Sequence, residues 1–227
     1  MTLGRRTKLF VLTGAVVGAM LAGGCAEQRP LHVVREHAER AVQEKKYDLA
    51  IENYKEYVDR RPGDVTVRYD LGKAYILAGN CKDAMQSLAT CVDVFPENDE
   101  YTEALAESYF QCNERDRLTL FLKKLTSERG TPADYMLQGK YAQKLGNPDE
   151  AIQALKTAAR IDGGKTPGPQ LALANFYGSV GDKVNQVKRL RMALYTMPTN
   201  QKVVDTLKSL GEVIGPTLAV VPEEAAQ

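Results

Sequence analysis

From Leu31 to about Gly215, apolar and small residues recur at spacings of three and four, in short blocks that Gly, Asn or Pro closes. That spacing predicts amphipathic helices of about a dozen residues, each followed by a tight turn. The blocks also resemble one another. Asp70-Leu71-Gly72-Lys73-Ala74-Tyr75, then Asp83-Ala84-Met85-Gln86-Ser87-Leu88 and Pro96, form a pattern that returns about every 34 residues. The first copy has Ala50, Tyr54 and Pro62, and the fourth has Gly139, Ala142, Gly146, Ala151 and Leu155. The fifth has Leu173-Ala174, Tyr177, Gly181, Leu190, Ala193 and Pro198.

Each copy reads as two helices around a turn. Small residues at Gly72, Ala106, Gly139 and Ala174 let the first helix approach the second, and Ala50, Ala84 and Ala151 do the same from the other side. Gly79, Gly146 and Gly181 stand where a left-handed residue closes the first helix, and Pro62, Pro96 and Pro198 stop the second. The first and third copies are degenerate: His37-Ala38 and Ala41 replace the small-residue signature in one, Leu118 and Gly130 replace the small residue and the proline in the other.

These residues at these offsets resemble the tetratricopeptide-repeat family over residues 31–200. The resemblance implies an all-α, right-handed superhelical solenoid of about five helical hairpins, with repeats at 31–64, 65–98, 99–131, 132–166 and 167–200. A capping helix is expected within 201–215, begun by Thr199, running Val203–Val213, with Val204, Leu207, Leu210 and Ile214 as its apolar stripe. Residues 216–227, with two prolines and Glu223-Glu224, read as a loose tail.

Ahead of the repeats, Met1–Lys8 is basic, Leu9–Ala22 is apolar, and Gly23-Gly24-Cys25 follows, the order of a secretory signal over residues 1–24. Leu21-Ala22-Gly23-Gly24-Cys25 resembles the bacterial lipoprotein signal. That resemblance implies cleavage before Cys25, acylation of its thiol and, with Ala26 next, an outer-membrane address facing the periplasm. Residues 25–30 then form only a short linker. The formal charge is +1, and removing Arg5, Arg6 and Lys8 leaves 27 basic against 29 acidic residues, so no electrostatic footprint for nucleic acid is present.

Three cysteines remain, in what is expected to be an oxidising compartment. Cys81 and Cys112 fall near the turns of adjacent hairpins and could be bridged if their Cα atoms come within about 7 Å. Cys91 holds a small-residue packing position.

Catalytic chemistry finds few residues. Asp162-Gly163-Gly164-Lys165-Thr166 imitates the end of a phosphate-binding loop, but Ala159 stands where its first glycine belongs and a helix precedes it, so it reads as an inter-hairpin loop. His32 and His37, the only histidines, point about 140° apart on a helix and cannot share a metal. No nucleophile, metal or cofactor motif is present, and the chain is read as a non-enzyme.

In the resembled family the first helices line a concave groove. Counting from each repeat start places Tyr69, Lys73, Ile76, Glu103, Glu107, Phe110, Met136, Lys140 and Asn175 along it. Apolar groups separated by charges suit an extended or helical peptide. The expected function is therefore a membrane-anchored scaffold that holds a protein partner in the cell envelope, similar in layout to pilotins and other assembly lipoproteins. Self-association is open. The alternative is a periplasmic enzyme or glycan-binding module, for which Glu103 and Glu107 are the nearest carboxylate pair, but the chain has no tryptophan to stack a sugar.

Overall fold

Five residues sit in the left-handed region at the middle of five tight turns: Lys45, Gly79, Asn113, Gly146 and Gly181. In each turn the next amide, that of Lys46, Asn80, Glu114, Asn147 or Asp182, donates back across the turn to Ala41, Tyr75, Tyr109, Ala142 or Tyr177. This hydrogen bond satisfies carbonyls that the ending helix leaves free and aims the chain back along itself. The turns thus close five antiparallel hairpins. The structure, a computed structural model, describes residues 28–226; the signal segment and the linker residues Cys25, Ala26 and Glu27 lie outside the described residues.

The hairpins are α1 Leu31–Gln43 with α2 Tyr47–Arg60, α3 Val65–Leu77 with α4 Cys81–Val94, and α5 Asp99–Gln111 with α6 Arg115–Glu128. They continue as α7 Pro132–Lys144 with α8 Pro148–Asp162, and α9 Gly168–Ser179 with α10 Lys183–Thr196. A single helix, α11 Gln201–Ser209, follows, and the described chain ends in a 3₁₀ turn at Glu223–Ala226. Among the described residues there is no strand, and no helix is long and apolar enough to cross a membrane.

Close approach within a hairpin depends on missing side chains. A Cβ at Gly72 would lie 2.7 Å from Leu88 Cγ, and one at Gly139 would lie 2.6 Å from Leu155 Cγ. Ala50, Ala84 and Ala151 are fully buried on the facing helices. In the third hairpin Leu118 takes that place, fully buried, and α5 meets α6 less extensively than the helices of the other hairpins meet each other. Packing is continuous from hairpin to hairpin: Leu71, Ala74 and Tyr75 of the second share one cluster with Tyr54 and Val58 of the first.

The same positions show how the stack ends. His37 and Arg40 of α1 correspond to Leu71 and Ala74 of α3, and both are exposed, so no further hairpin finds an apolar face to dock on. At the other end α11 packs on the last hairpin through Val203 and Leu207. Its cap is Asn200, whose side chain accepts from the Val203 amide at 3.1 Å; the expected cap, Thr199, lies one residue too early. The helix stops at Ser209, four residues before the expected end, because Gly211 turns left-handed at φ 91° and leaves Ile214 exposed.

Residues 216–226 return to the stack and are not a loose tail. Leu218 is buried among Leu194, Val203 and Leu207. The Val220 amide donates to the Arg191 carbonyl at 3.1 Å, and the Arg191 guanidinium donates to the carbonyls of Leu218 and Thr217. Pro222 fills the space above Gly164, where a Cβ would meet it at 2.7 Å. At the far end Arg189 donates to Glu224 at 2.5 Å and to Gln170 at 3.0 Å, and Gln170 donates to Glu224 at 2.9 Å.

Candidate functional site

The first helices α3, α5, α7 and α9 touch one another in sequence along the stack. Three of their starts are fixed by side-chain caps: Asp64 accepts from Val67, Asn98 from Glu100 and Tyr101, and Thr131 shares a reciprocal capping box with Asp134. With their starts pinned, the side chains one to three turns on fall at matching heights on neighbouring helices.

Where α5, α7 and α9 meet, a cavity of about 370 Å³ opens. Its apolar lining is Ala133, Met136, Leu137, Leu155 and Ala172, and its polar lining includes Asp99, Glu103, Lys140, Gln143 and Asn175. Of the nine residues expected along the groove, the structure brings Glu103, Met136, Lys140 and Asn175 together at this cavity. Lys140 Nζ lies 2.7 Å from Glu103 Oε1, an exposed pair that spans two hairpins. Gln143 donates to Ser179 at 2.6 Å across the next seam.

Of the other five, Tyr69, Ile76, Glu107 and Phe110 serve the joints between hairpins, and Lys73 is exposed and contacts its own helix. Tyr69 is buried against Tyr101, ring centroids 5.0 Å apart, and its hydroxyl donates to Glu100 at 3.0 Å. Lys73 lies 4.2 Å above the Tyr69 ring and pairs with Asp70 at 3.0 Å. Ile76 is half-buried between the first two core clusters. Phe110 stacks on Tyr141 at 5.7 Å. Counting along one helix cannot distinguish a groove position from a seam position, because both lie on the same face.

Glu107 is the most perturbed carboxyl on this face. Burial pushes its carboxyl up, but hydrogen bonds from Tyr141 at 2.6 Å, Gln111 at 2.9 Å and Lys144 at 3.0 Å outweigh that and bring it down to about 2. Such a group stays ionised and cannot act as a general acid at neutral pH. Glu103, its neighbour one turn away, is neutralised by Lys140.

A second polar centre was not legible in the repeat pattern. Arg129, with a side chain only 8% exposed, donates to Asp134 at 2.5 Å, to Asp99 at 2.6 Å and to the Pro96 carbonyl. It joins the start of the third hairpin to the start of the fourth, in the copy where Gly130 stands in place of proline. The proximity of one Arg to Asp99 and Asp134 depends on the stacking, so only an unusual charged residue at a helix end could have signalled it.

On the opposite edge, Cys81 opens α4 and Cys112 caps α5, and the two form a disulfide with Cα atoms 5.6 Å apart. Cys91 is a free, buried thiol that donates to the Ser87 carbonyl at 3.3 Å, and burial pushes it up to about 11, so it is inert packing. Asp162 accepts from the Thr166 amide at 2.9 Å and from its hydroxyl at 2.7 Å, closing the glycine loop on itself. His32 and His37 are exposed. Among the described residues no group of three potential metal ligands occurs.

Two family profiles described as tetratricopeptide repeat match residues 41–108 and 135–164. The chain's fold is a solenoid of tetratricopeptide repeats. Its repeat solenoid is similar to the crystal structure of a thermophilic TPR protein in Thermus thermophilus, with 20% identity and a TM-score of 0.51 over 80% of this chain and 98% of that one. A tetratricopeptide repeat protein from Parabacteroides merdae gives 16% identity and 0.52, covering 79% and 72% of the two chains. MamA from Desulfovibrio magneticus gives 13% and 0.50, covering 78% and 99%. At these identities the likeness is one of fold alone. No curated protein sequence matches the chain significantly. A TPR solenoid of this kind implies a protein partner.

Proposed function

We propose that this TPR solenoid is an envelope scaffold that holds a peptide segment of a partner in the groove formed by α5, α7 and α9, while an acylated Cys25 tethers it to the outer membrane facing the periplasm. Assembly or maintenance of an envelope complex is the role that such a tethered groove serves. The observation that carries the peptide reading is the cavity of about 370 Å³: it lies on the first helices, has an apolar floor, and is rimmed by polar groups that can fix a backbone. The lipid tether is supported by Leu21–Cys25, and an oxidising compartment by the bridged Cys81 and Cys112.

Two experiments test the two halves. A photo-crosslinking side chain placed at Asn175, on the groove rim, is expected to trap a discrete envelope protein in intact cells, and one placed at the exposed Leu120 on α6 is not. Equal capture from both positions would remove the groove from the reading. Metabolic palmitate labelling is expected in the wild-type chain and absent in Cys25→Ser; label that persists in the variant would remove the tether.

A further inference from the structure

The groove changes chemistry across its width. Helix α5 carries Asp99, Glu100, Glu103 and Glu107 and no basic residue, whereas α9 carries no charged side chain at all. Asp99, Glu100 and Glu103 are all exposed, and each has one oxygen engaged: Asp99 by Arg129, Glu100 by the Tyr69 hydroxyl, Glu103 by Lys140. The second oxygen of each has no donor among the described residues. The cations bonded to α5 are Arg129, Lys140 and Lys144, and buried Asp134 also draws on Arg129, so five carboxylates face three cations.

Resting on the groove reading above, we propose that the partner segment is basic and amphipathic: it sets a Lys or Arg against the α5 wall and an adjoining large aliphatic side chain into the Met136–Leu155 pocket, with uncharged residues over α9. The excess negative charge at the mouth attracts the cation and repels an acidic segment or a free C-terminal carboxylate. The apolar floor is closed to charge, since Met136, Leu137, Leu155 and Ala172 offer an ion no hydrogen bond. An aliphatic group entering it leaves water without stranding a polar atom. The wall and the pocket together orient the segment across the stack, basic side toward α5.

The test uses the purified full chain and three synthetic peptides of equal length, built from Lys with Leu, Glu with Leu, and Lys with Ser, followed by fluorescence anisotropy. The Lys/Leu peptide is expected to bind roughly tenfold more tightly than either of the others. The double variant Glu100→Gln with Glu103→Gln, both exposed positions, is expected to bring the Lys/Leu and Glu/Leu affinities together. Ala172→Glu, which projects a carboxylate into the pocket, is expected to weaken all binding. Equal affinity of Lys/Leu and Glu/Leu for the wild-type chain overturns the charge assignment and leaves the groove reading standing. Equal affinity of Lys/Leu and Lys/Ser overturns the anchor. If no peptide binds, or if Ala172→Glu changes nothing, this proposal fails and the groove reading fails with it.

Discussion

Single atoms decide how closely the hairpins close. Gly139 is expected to tolerate not even a methyl group: the new Cβ would meet Leu155 Cγ at 2.6 Å and the Ala151 carbonyl at 3.2 Å. Gly139→Ala gains helix propensity but forces α7 from α8, and a net loss of about 1–2 kcal/mol in urea unfolding is expected. Lys45 gives the opposite case. It holds φ 58° at a turn where three other hairpins use glycine, so Lys45→Gly is expected to raise stability by about 0.5–1 kcal/mol in the same assay. The Gly79, Gly146 and Gly181 turns were readable from the chain. Lys45 and Asn113 were not, since only the repeat register marks them as left-handed. Glu107 adds a pH dependence. Its folded-state carboxyl lies below the ordinary value, so it stabilises the fold above about 4.5 and gives that stabilisation up as the pH falls toward about 2. Glu107→Gln is expected to lower the urea midpoint at neutral pH and to flatten its decline over that interval.

Among the elements, the third hairpin is the weakest and the most heavily braced. Leu118 spaces α5 from α6 and Gly130 replaces the stop proline, yet the disulfide ties its turn edge to the second hairpin and Arg129 ties its loop edge to the fourth. Reduction of Cys81–Cys112, or Cys112→Ser, releases a loop with a sequence separation of 31 and is expected to cost about 3–4 kcal/mol by chain entropy. Hydrogen exchange is expected to localise that loss to α5 and α6, with α9 to α11 unchanged; uniform loss along the chain would contradict a local brace. The degeneracy of this copy was visible in the sequence, but its compensation was not, because each brace joins residues some thirty positions apart.

Along the full stack, stability is a sum of hairpins and their interfaces, and the ends matter most. The N-terminal end is closed by polar residues on α1. The C-terminal end is closed by the returning segment, held by Leu218 and by the Arg189–Gln170–Glu224 network. A chain ending at Gly215 loses both and leaves Arg189, nearly buried on α10, without its carboxylate. Its thermal midpoint is expected to fall by several degrees, with exchange protection lost first in α10 and α11.

The solenoid was already written in the order of the residues. Helix period, small-residue positions, glycine turns and proline stops are local properties, and repetition at a fixed interval multiplied a weak signal into a firm one. The same counting marked Glu103, Met136, Lys140 and Asn175 as facing the groove. Which groove positions remain open and which become seams was settled by stacking alone. Tyr69, Ile76 and Phe110 share the periodicity of Met136, but of the four only Met136 lines the cavity. The tail shows the same limit from the other side: two prolines and a pair of glutamates read as loose chain, yet Leu218 packs on α10 and α11 and Arg189 holds Glu224.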